Sequence, residues 1–309
     1  MFEPKASIKN FEIFLKVEHI YKTMNIKCSY PMSLVTSFRC GGRADFFVCP
    51  EEMRTLLNLL TLHKNRKLFI LGNGTNTLFS DTGFNGLVIC TKNLSAIRTW
   101  GSDKTEDVFV ECECGVSLFA LHAFLVENSL SGLEFAFGIP ASIGGAVVTN
   151  CGAFGQEIGE FVESVEVFEN GKTRKISKNE IFFSYRNSSL KNYIVLKIVL
   201  RLKKGDKKYI IDKQQEILQK RKLLQPLEYA SAGSVFKRQG DVIPAKIIEE
   251  LDLKGFSIGG AQISRKHAGF IINTGGASAT DVINLIKFVE SKVFEERKIR
   301  LEREIIIVE

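Results

Sequence analysis

The feature that most constrains this chain is a glycine-rich loop directly behind a short apolar run. Residues 67–71 have the length and composition of a β-strand. The loop that follows consists of Gly72, Asn73, Gly74, Thr75 and Asn76. Glycine lets a main chain approach a ligand closely, and successive N–H groups can surround phosphate oxygens. The loop alone indicates either a phosphate-bearing ligand or, equally, a tight structural turn.

Two well-known phosphate loops do not fit. A dinucleotide fingerprint needs a third glycine followed at once by a helix, but Thr77 stands there and residues 78–83 would break a helix. A Walker loop needs Gly-Lys-Ser/Thr, which occurs only at residues 171–173, where Glu166 replaces the upstream glycine. Asn170 and Gly171 lie between alternating runs, which predicts a hairpin turn.

Length and charge exclude several classes of protein. The 309 residues are enough for two or three lobes. The formal charge of +7 is densest between Arg201 and Lys222 but forms no basic arm, so it suits an anionic small molecule or no charged ligand at all, and we expect no nucleic acid. No apolar run reaches ~18 residues, and the N-terminus is charged, so we expect neither a membrane span nor a signal peptide.

The seven cysteines show neither metal-site nor disulfide-framework spacing. Cys112 and Cys114 share one face of an alternating run and are interpreted as core thiols. His122, on a predicted helix at 117–128, is assigned no role. These features predict reduced thiols, no metal and a cytoplasmic protein.

The chain begins with an amphipathic lead-in at residues 1–30, followed by a strand at 46–49 and a helix from Pro50. The apolar positions of this helix follow a period of one helical turn: Met53, Leu56, Leu57 and Leu60. Strand, helix, strand and glycine loop then form a βαβ unit. Such a unit places the loop at the carboxyl end of a strand, where open α/β sheets bind ligands.

Residues 138–155 are the most glycine-dense segment and predict neither a strand nor a stable helix. A backbone pressed against a flat ligand would explain them better than a set of tight turns. Strands are predicted again over 161–202, and the change in composition near Gly205 indicates a domain boundary.

The last hundred residues have an α+β pattern. It contains a basic helix at 212–224, a turn at 231–234, a helix from Pro244 to Gly255, a helix opened by the capping pair Ser278 and Asp281, and a closing strand at 301–308. Glu304 lies beside the most apolar part of that strand, and the pattern favours a solvated carboxylate at the margin of a sheet.

Taken together, the ordered motifs resemble the UDP-N-acetylenolpyruvoylglucosamine reductase family from about Ser37 to the C-terminus. The matching segments are 72–76, 132–136, 138–140, 144–146, Asn150, 152–153, 185–188, 231–237, 259–262, 267–268 and Glu304. Asn73 and Ala141 depart from the family pattern, since glycine is usual at both positions. The insertion of larger members after the Tyr-Arg motif is absent, which indicates the shorter subtype.

The resemblance implies an α+β fold with a two-lobed FAD-binding domain of the PCMH type, at residues 31–95 and 96–204, and a C-terminal substrate-binding domain at 205–309. It implies a flavoprotein that uses NADPH to reduce the enolpyruvyl ether of a UDP-sugar to UDP-N-acetylmuramate for peptidoglycan synthesis. We expect a monomer with these two small-molecule partners.

The resemblance also implies the site residues. The catalytic residues are Arg186, Ser234 and Glu304. The cofactor residues are Gly72, Asn73, Gly74, Thr75, Asn76, Gly138, Ile139, Pro140, Ser142, Gly144, Gly145, Asn150 and Gly152. The substrate residues are Tyr185, Lys237, Arg238, Gln262 and His267. Ser234 would donate a proton. The alkoxide that remains would need positive charge nearby, and we expect Lys237 to supply it.

Two other functions stay open from sequence. One is an FAD oxidase that acts on another substrate. The other is a nucleotide-sugar sensor that keeps flavin without turnover, which the presence of Arg186, Ser234 and Glu304 disfavours.

Overall fold

The computed structural model describes residues 25–63, 66–101 and 106–309, which form two lobes and a C-terminal unit. Most of the predicted lead-in at 1–30 lies outside the described residues. No helix in these three ranges is long and apolar enough to cross a membrane.

The first lobe is a four-stranded sheet with one helix. Its strands lie in the order β1-β2-β5-β3, with β1 antiparallel and the others parallel. The elements are β1 Lys27–Pro31, β2 Arg43–Val48, α1 Met53–Leu62, β3 Leu68–Leu71, β4 Thr77–Phe79 and β5 Phe84–Cys90. The elements β2, α1 and β3 form the predicted βαβ unit, and in the sheet β5 lies between β2 and β3. The glycine loop follows β3, at the carboxyl edge of the sheet.

The boundaries of this unit differ from the prediction. Helix α1 begins at Met53 and not at Pro50, because Glu52 is still extended and forms the N-cap. Leu56 and Leu60 of the predicted stripe are buried, but Leu59 is buried in place of Leu57. The apolar face therefore covers the sheet at a slightly different rotation of the helix.

The second lobe is an antiparallel sheet in the order β12-β11-β15-β7-β6, with β8 also paired to β15. Its elements are β6 Ile97–Trp100, β7 Asp107–Glu113, α2 Leu118–Glu127, β8 Leu130–Ser131, α3 Ile143–Thr149, β9 Gly152–Ala153, β10 Gln156–Glu157, β11 Val162–Glu169, β12 Lys172–Ser177, β13 Phe183–Ser184, β14 Asn187–Ser188 and β15 Ile194–Lys204. Asn170 and Gly171 have positive φ and form the predicted hairpin turn.

Helix α3 corrects the prediction that residues 138–155 contain no helix. Ser142 caps it by accepting a hydrogen bond from Gly145 N, and Asn150 ends it in the left-handed conformation. Gly144 lets the helix approach β7, because a Cβ there would lie 2.8 Å from Cys114 O. Tertiary packing thus overrides the poor helix propensity of glycine.

The C-terminal unit contains the antiparallel sheet β16-β19-β18-β17 and two helices packed on it. The elements after the second lobe are α4 Lys207–Leu224, β16 Ala230–Ser234, α5 Pro244–Glu250, β17 Ser257–Ile258, β18 Ala261–Ile263, β19 Phe270–Asn273, α6 Ala279–Arg297 and β20 Ile306–Val308. Ser278 and Asp281 form the predicted capping box of α6.

Helix α4 packs on the second lobe although it follows the predicted boundary near Gly205. Its Gln214 Nε2 lies 3.4 Å from Nδ1 of the buried His122, whose pKa burial lowers to about 4. The neutral ring of His122 is therefore a packing element, and α4 connects the second lobe to the C-terminal unit.

Two predictions for the C-terminal unit were wrong. Residues 231–234 belong to β16 and are not a turn, although the register shifts between Ser231 and Ser234, where Gly233 has φ +77°. The closing strand begins only at Ile306, and it pairs in parallel with β4, directly behind the glycine loop. The segment before β20 is thereby held against that loop.

Candidate active site

Two adjoining cavities lie at the glycine loop. The smaller, of about 370 Å³, is lined by this loop, by α3 and by residues near 191–195, and we call it the loop cavity. The larger, of about 610 Å³, lies between the second lobe and the C-terminal unit, and we call it the junction cavity. They share the lining residues Thr75, Asn76, Ala141 and Thr149. Both volumes lie in the ~300–1,000 Å³ range of cofactor and small-molecule sites.

Close approach of chain segments explains the glycines of the loop cavity. Gly74 has φ +65°, and a Cβ there would lie 2.1 Å from Val35 O. A Cβ on Gly72 would lie 2.3 Å from Ser142 Oγ, the hydroxyl that caps α3. The glycines therefore allow the loop to pack against its neighbours, and this packing shapes the cavity.

Most of the predicted cofactor residues line these cavities. Those in the loop cavity are Gly72, Asn73, Gly74, Thr75, Asn76, Ser142, Gly144 and Gly145. Those in the junction cavity include Ile139, Pro140 and Gly152. The structure thus brings two distant glycine-rich segments together around one continuous space.

The remaining two predicted cofactor residues, Gly138 and Asn150, line neither cavity. Asn150 is fully buried, and its Nδ2 donates to Glu157 Oε2 at 2.6 Å and to Ser184 O at 3.0 Å. These bonds connect the end of α3 to the turn between β13 and β14. Asn150 therefore positions that turn.

The three predicted catalytic residues converge in the junction cavity from separate elements. Arg186 lies in the turn between β13 and β14, Ser234 ends β16, and Glu304 precedes β20. Arg186 Nη2 donates to Gly152 O at 2.8 Å, and its Nε lies 2.9 Å from Glu304 Oε1. The Nε–H does not point along this contact, so the contact is an ion pair without an aligned hydrogen bond.

Glu304 is not solvated, which corrects the sequence-based expectation. Only 21% of its side chain is exposed. Its backbone N–H donates to Val235 O at 2.7 Å, and its C=O accepts from Asn76 Nδ2 at 3.0 Å. Burial raises the pKa of Glu304, while the charges of Arg186 and Lys237 act in the opposite direction. The carboxyl group is therefore held closer to protonation than an exposed glutamate.

Three of the predicted substrate residues, Tyr185, Arg238 and His267, line the junction cavity. The Tyr185 ring lies 5.0 Å from the Arg186 guanidinium carbon, in a cation–π contact. His267 Nδ1 accepts the N–H of Gly269 at 3.1 Å, and burial lowers the pKa of its ring. The cavity wall thus offers a neutral imidazole, a phenol and a guanidinium.

The other two predicted substrate residues, Lys237 and Gln262, do not line the junction cavity. Lys237 Nζ is bound to Glu302, and Gln262 Nε2 donates to Ser257 Oγ at 3.0 Å. Both side chains therefore already have partners within the C-terminal unit. The charge of Lys237 is thus paired with Glu302, and its predicted role beside Ser234 stays a prediction.

Sequence reasoning missed several residues of the junction cavity, among them Cys151, Phe154, Arg221 and Gln225. Arg221 and Gln225 lie four residues apart at the end of the basic helix α4, where Gln225 is the C-cap, and both line the same cavity. That spacing was the available signal. It was obscured because a basic helix is usually solvated.

The site fits a cofactor with a polar tail and a flat reactive ring. The glycine loop lines one end, the catalytic side chains line the other, and the buried Nε of Arg221 has no hydrogen-bond partner. Within the described ranges no group of three or more His, Cys, Asp and Glu side chains could hold a metal ion. Residues 44–177 match the family model "FAD binding domain". The fold and site thus define an FAD-dependent oxidoreductase.

The second match narrows this class. Residues 225–308 match "UDP-N-acetylenolpyruvoylglucosamine reductase, C-terminal domain". The reductase of this name from Thermotoga sp. (strain RQ2) is 44% identical over 93% of this chain and 95% of its own. That of Clostridium novyi (strain NT) is 41% identical over 97% and 98%. The chain belongs to the UDP-N-acetylenolpyruvoylglucosamine reductase family.

A solved structure agrees with this assignment. The crystal structure of UDP-N-acetylenolpyruvylglucosamine reductase from Thermus caldophilus superposes with a TM-score of 0.79 at 32% identity, covering 93% of this chain and all of that one. The predicted fold class, an FAD-binding domain followed by a C-terminal domain of this family, is confirmed.

Proposed function

We propose that this protein uses NADPH to reduce the enolpyruvyl ether of UDP-N-acetylglucosamine-enolpyruvate to UDP-N-acetylmuramate. This reaction supplies a precursor of peptidoglycan. We further propose that the protein works as a cytoplasmic monomer.

The observation that carries the proposal is the convergence of Arg186, Ser234 and Glu304 on one cavity that continues into the loop cavity. A cation, a hydroxyl and a carboxyl group from three separate segments then surround the same space. Family membership supplies the reaction to which these groups are suited.

Bound FAD supplies hydride transfer between NADPH and the enolpyruvyl double bond. Hydride addition to the vinyl carbon leaves negative charge on the carboxylate side of the substrate. Arg186 can meet that charge with its guanidinium, because its position is fixed by Gly152 and by Glu304. Glu304, with its raised pKa, orients Arg186 and can donate a hydrogen bond when protonated.

Ser234 donates the proton that completes the reduction. A serine hydroxyl is a weak acid, so it needs positive charge nearby. Lys237 is bound to Glu302, whereas Arg186 and Arg238 line the cavity together with Ser234. We assign the stabilisation of the alkoxide to these arginines. Tyr185, Arg238 and His267 are the proposed contacts of the UDP-sugar.

One experiment separates the proposal from its two rivals. The purified protein should carry about one non-covalent FAD per chain, and NADPH oxidation should require the enolpyruvyl UDP-sugar. NADPH oxidation by oxygen alone would favour an oxidase. Flavin reduction without turnover would favour a sensor, and a protein that cannot be reconstituted with FAD would contradict all three.

A further inference from the structure

Arg221, on the last turn of α4, is a half-buried cation without an anionic partner among the described residues. Burial lowers the pKa of its guanidinium, and Nε is buried without a hydrogen-bond partner. Among the described residues no carboxylate forms an ion pair with it. A guanidinium nitrogen that is removed from water without a hydrogen-bond partner is destabilising. Folding alone therefore does not explain this arginine.

Two neighbours of Arg221, Gly138 and Gln225, leave space and an unpaired polar atom beside its side chain. Gly138 makes room for it, because a Cβ there would lie 3.2 Å from Arg221 Nε. Gln225, one helical turn later, lines the same cavity wall, and its Oε1 is buried without a partner. Buried polar atoms are nearly always hydrogen-bonded. A donor on the last turn of α4 and an acceptor on its C-cap residue thus both lack a partner from the protein.

Two other cations of the cavity wall already have anionic partners. Arg186 is ion-paired with Glu304 at 2.9 Å, and Lys220, half of whose side chain is exposed, is paired with Glu216. The charge of Arg221 therefore remains for a group that enters the junction cavity.

We propose that Arg221 stabilises the negative charge that the flavin gains on reduction, with Gln225 accepting a hydrogen bond from the same ring. A hydride carries two electrons and one proton, so a neutral ring that takes it from NADPH becomes an anion while NADP⁺ leaves. The inference rests on the proposed function, because it requires FAD in the junction cavity. Arg221 then makes reduction by NADPH more favourable.

The diphosphate of the substrate is the competing anion. Arg238, in the wall that the C-terminal unit contributes, is placed to meet it. Arg221 instead lies beside residues 138–141, within the glycine-rich segment predicted for the cofactor. Its buried Nε can donate only to a group that enters deeply. The flavin ring meets this requirement better than a diphosphate.

The test is the two-electron midpoint potential of the bound flavin in Arg221→Gln. Losing the charge should weaken binding of reduced FAD relative to oxidised FAD on the order of tenfold, which lowers the potential by ~30 mV. Arg221→Lys keeps the charge, so its midpoint potential should lie between those of the wild type and Arg221→Gln. Lys220→Gln removes a neighbouring charge that has its own partner and should leave the potential at the wild-type value. The flavin-free Arg221→Gln protein should be at least as stable as wild type in urea.

Several outcomes would overturn the inference. One is an unchanged potential in Arg221→Gln with flavin bound, and another is an equal loss of affinity for oxidised and reduced FAD. A raised KM for the UDP-sugar with an unchanged potential would make Arg221 a substrate anchor. If Arg221→Gln does not fold, a wild-type potential in Arg221→Met would overturn the inference equally. A wild-type protein that binds no FAD would contradict the proposed function instead.

Discussion

Asn76 of the glycine loop donates a hydrogen bond from Nδ2 to the main-chain carbonyl of Glu304, 3.0 Å away. The main-chain carbonyl of Asn76 accepts the N–H of Ile306 at 3.0 Å. One residue of the cofactor loop thus holds both sides of the segment that carries a proposed catalytic carboxyl group. The position of Glu304 therefore depends on the loop as well as on Arg186.

Asn76→Ala should displace Glu304 without removing it. A partly buried hydrogen bond contributes ~0.5–1.5 kcal/mol, so we expect a small loss of stability. Reoxidation of the flavin by the UDP-sugar should slow more than its reduction by NADPH, and stopped-flow absorbance measures both. Asn73→Ala is the matched control, because Asn73 Nδ2 donates to Pro140 O at the same 3.0 Å. It should weaken FAD retention more than reoxidation. If Asn73→Ala slowed reoxidation more than Asn76→Ala did, the proposed dependence of Glu304 on Asn76 would be wrong.

Ser234→Ala should separate the two half-reactions. Reduction of the flavin by NADPH needs no proton from Ser234 and should stay near the wild-type rate. Reoxidation by the enolpyruvyl sugar needs that proton, and loss of a general acid typically costs ~10²–10⁴-fold, or roughly 3–5 kcal/mol of barrier. Single-turnover stopped-flow absorbance of the flavin checks both rates.

A thiol is a stronger acid than a hydroxyl, so Ser234→Cys should retain more activity than Ser234→Ala. If Ser234 only terminates β16, both variants should slow the two half-reactions by equal, small factors. Reoxidation of Ser234→Ala within a few-fold of wild type would exclude Ser234 as the proton donor.

The raised pKa of Glu304 predicts a pH dependence of stability with a definite sign. A carboxyl group whose pKa is higher in the folded chain than in the unfolded chain takes up a proton on folding. Its contribution is present below its unfolded pKa and is lost as pH rises through the folded pKa. The unfolding free energy of wild type minus that of Glu304→Gln should therefore decrease across that window. Urea unfolding at a series of pH values measures it.

Glu216 provides a control of opposite sign. Hydrogen bonds from Lys213 and Lys220 lower its pKa to about 2. The unfolding free energy of wild type minus that of Glu216→Gln should therefore rise with pH and be lost as pH falls through the folded pKa. If both differences change in the same direction, the assignment of a raised pKa to Glu304 is wrong.

Local features were readable from the sequence. The capping box of Ser278 and Asp281, the Asn170-Gly171 hairpin and the glycine loop behind β3 are all determined by residues within a few positions of each other. The gathering of Arg186, Ser234 and Glu304 followed from the family resemblance, since no local pattern joins three segments so far apart.

The missed features depend on distant contacts. Glu304 was expected in water, but the strand behind it pairs with β4, more than two hundred positions earlier in the chain. Helix α3 was missed because it is stabilised by packing on Cys114 and not by propensity. Arg221 was missed because the sequence of a basic helix does not distinguish it from its solvated neighbours. Its environment depends on the packing of the helix against Gly138, which is distant in the chain.

Alanine substitutions at two adjacent glycines, Gly144 and Gly145, test how much the packing of α3 contributes to stability. A Cβ on Gly144 would lie 2.8 Å from Cys114 O and 2.9 Å from Cys114 Cβ, and Gly144 N already donates to that oxygen at 2.9 Å. Because the clash involves main-chain atoms, Gly144→Ala should cost ~1–3 kcal/mol of stability. A Cβ on the exposed Gly145 would approach only Ser142 Oγ, at 3.3 Å.

Alanine also favours a helix interior over glycine by ~0.5–1 kcal/mol, so Gly145→Ala should change stability little. Urea unfolding of the two flavin-free variants gives the comparison. Both glycines line the loop cavity, so either substitution should weaken FAD retention, whereas only Gly144→Ala should also lower stability. Equal effects on stability at both positions would show that the approach of α3 to β7 does not require glycine at position 144.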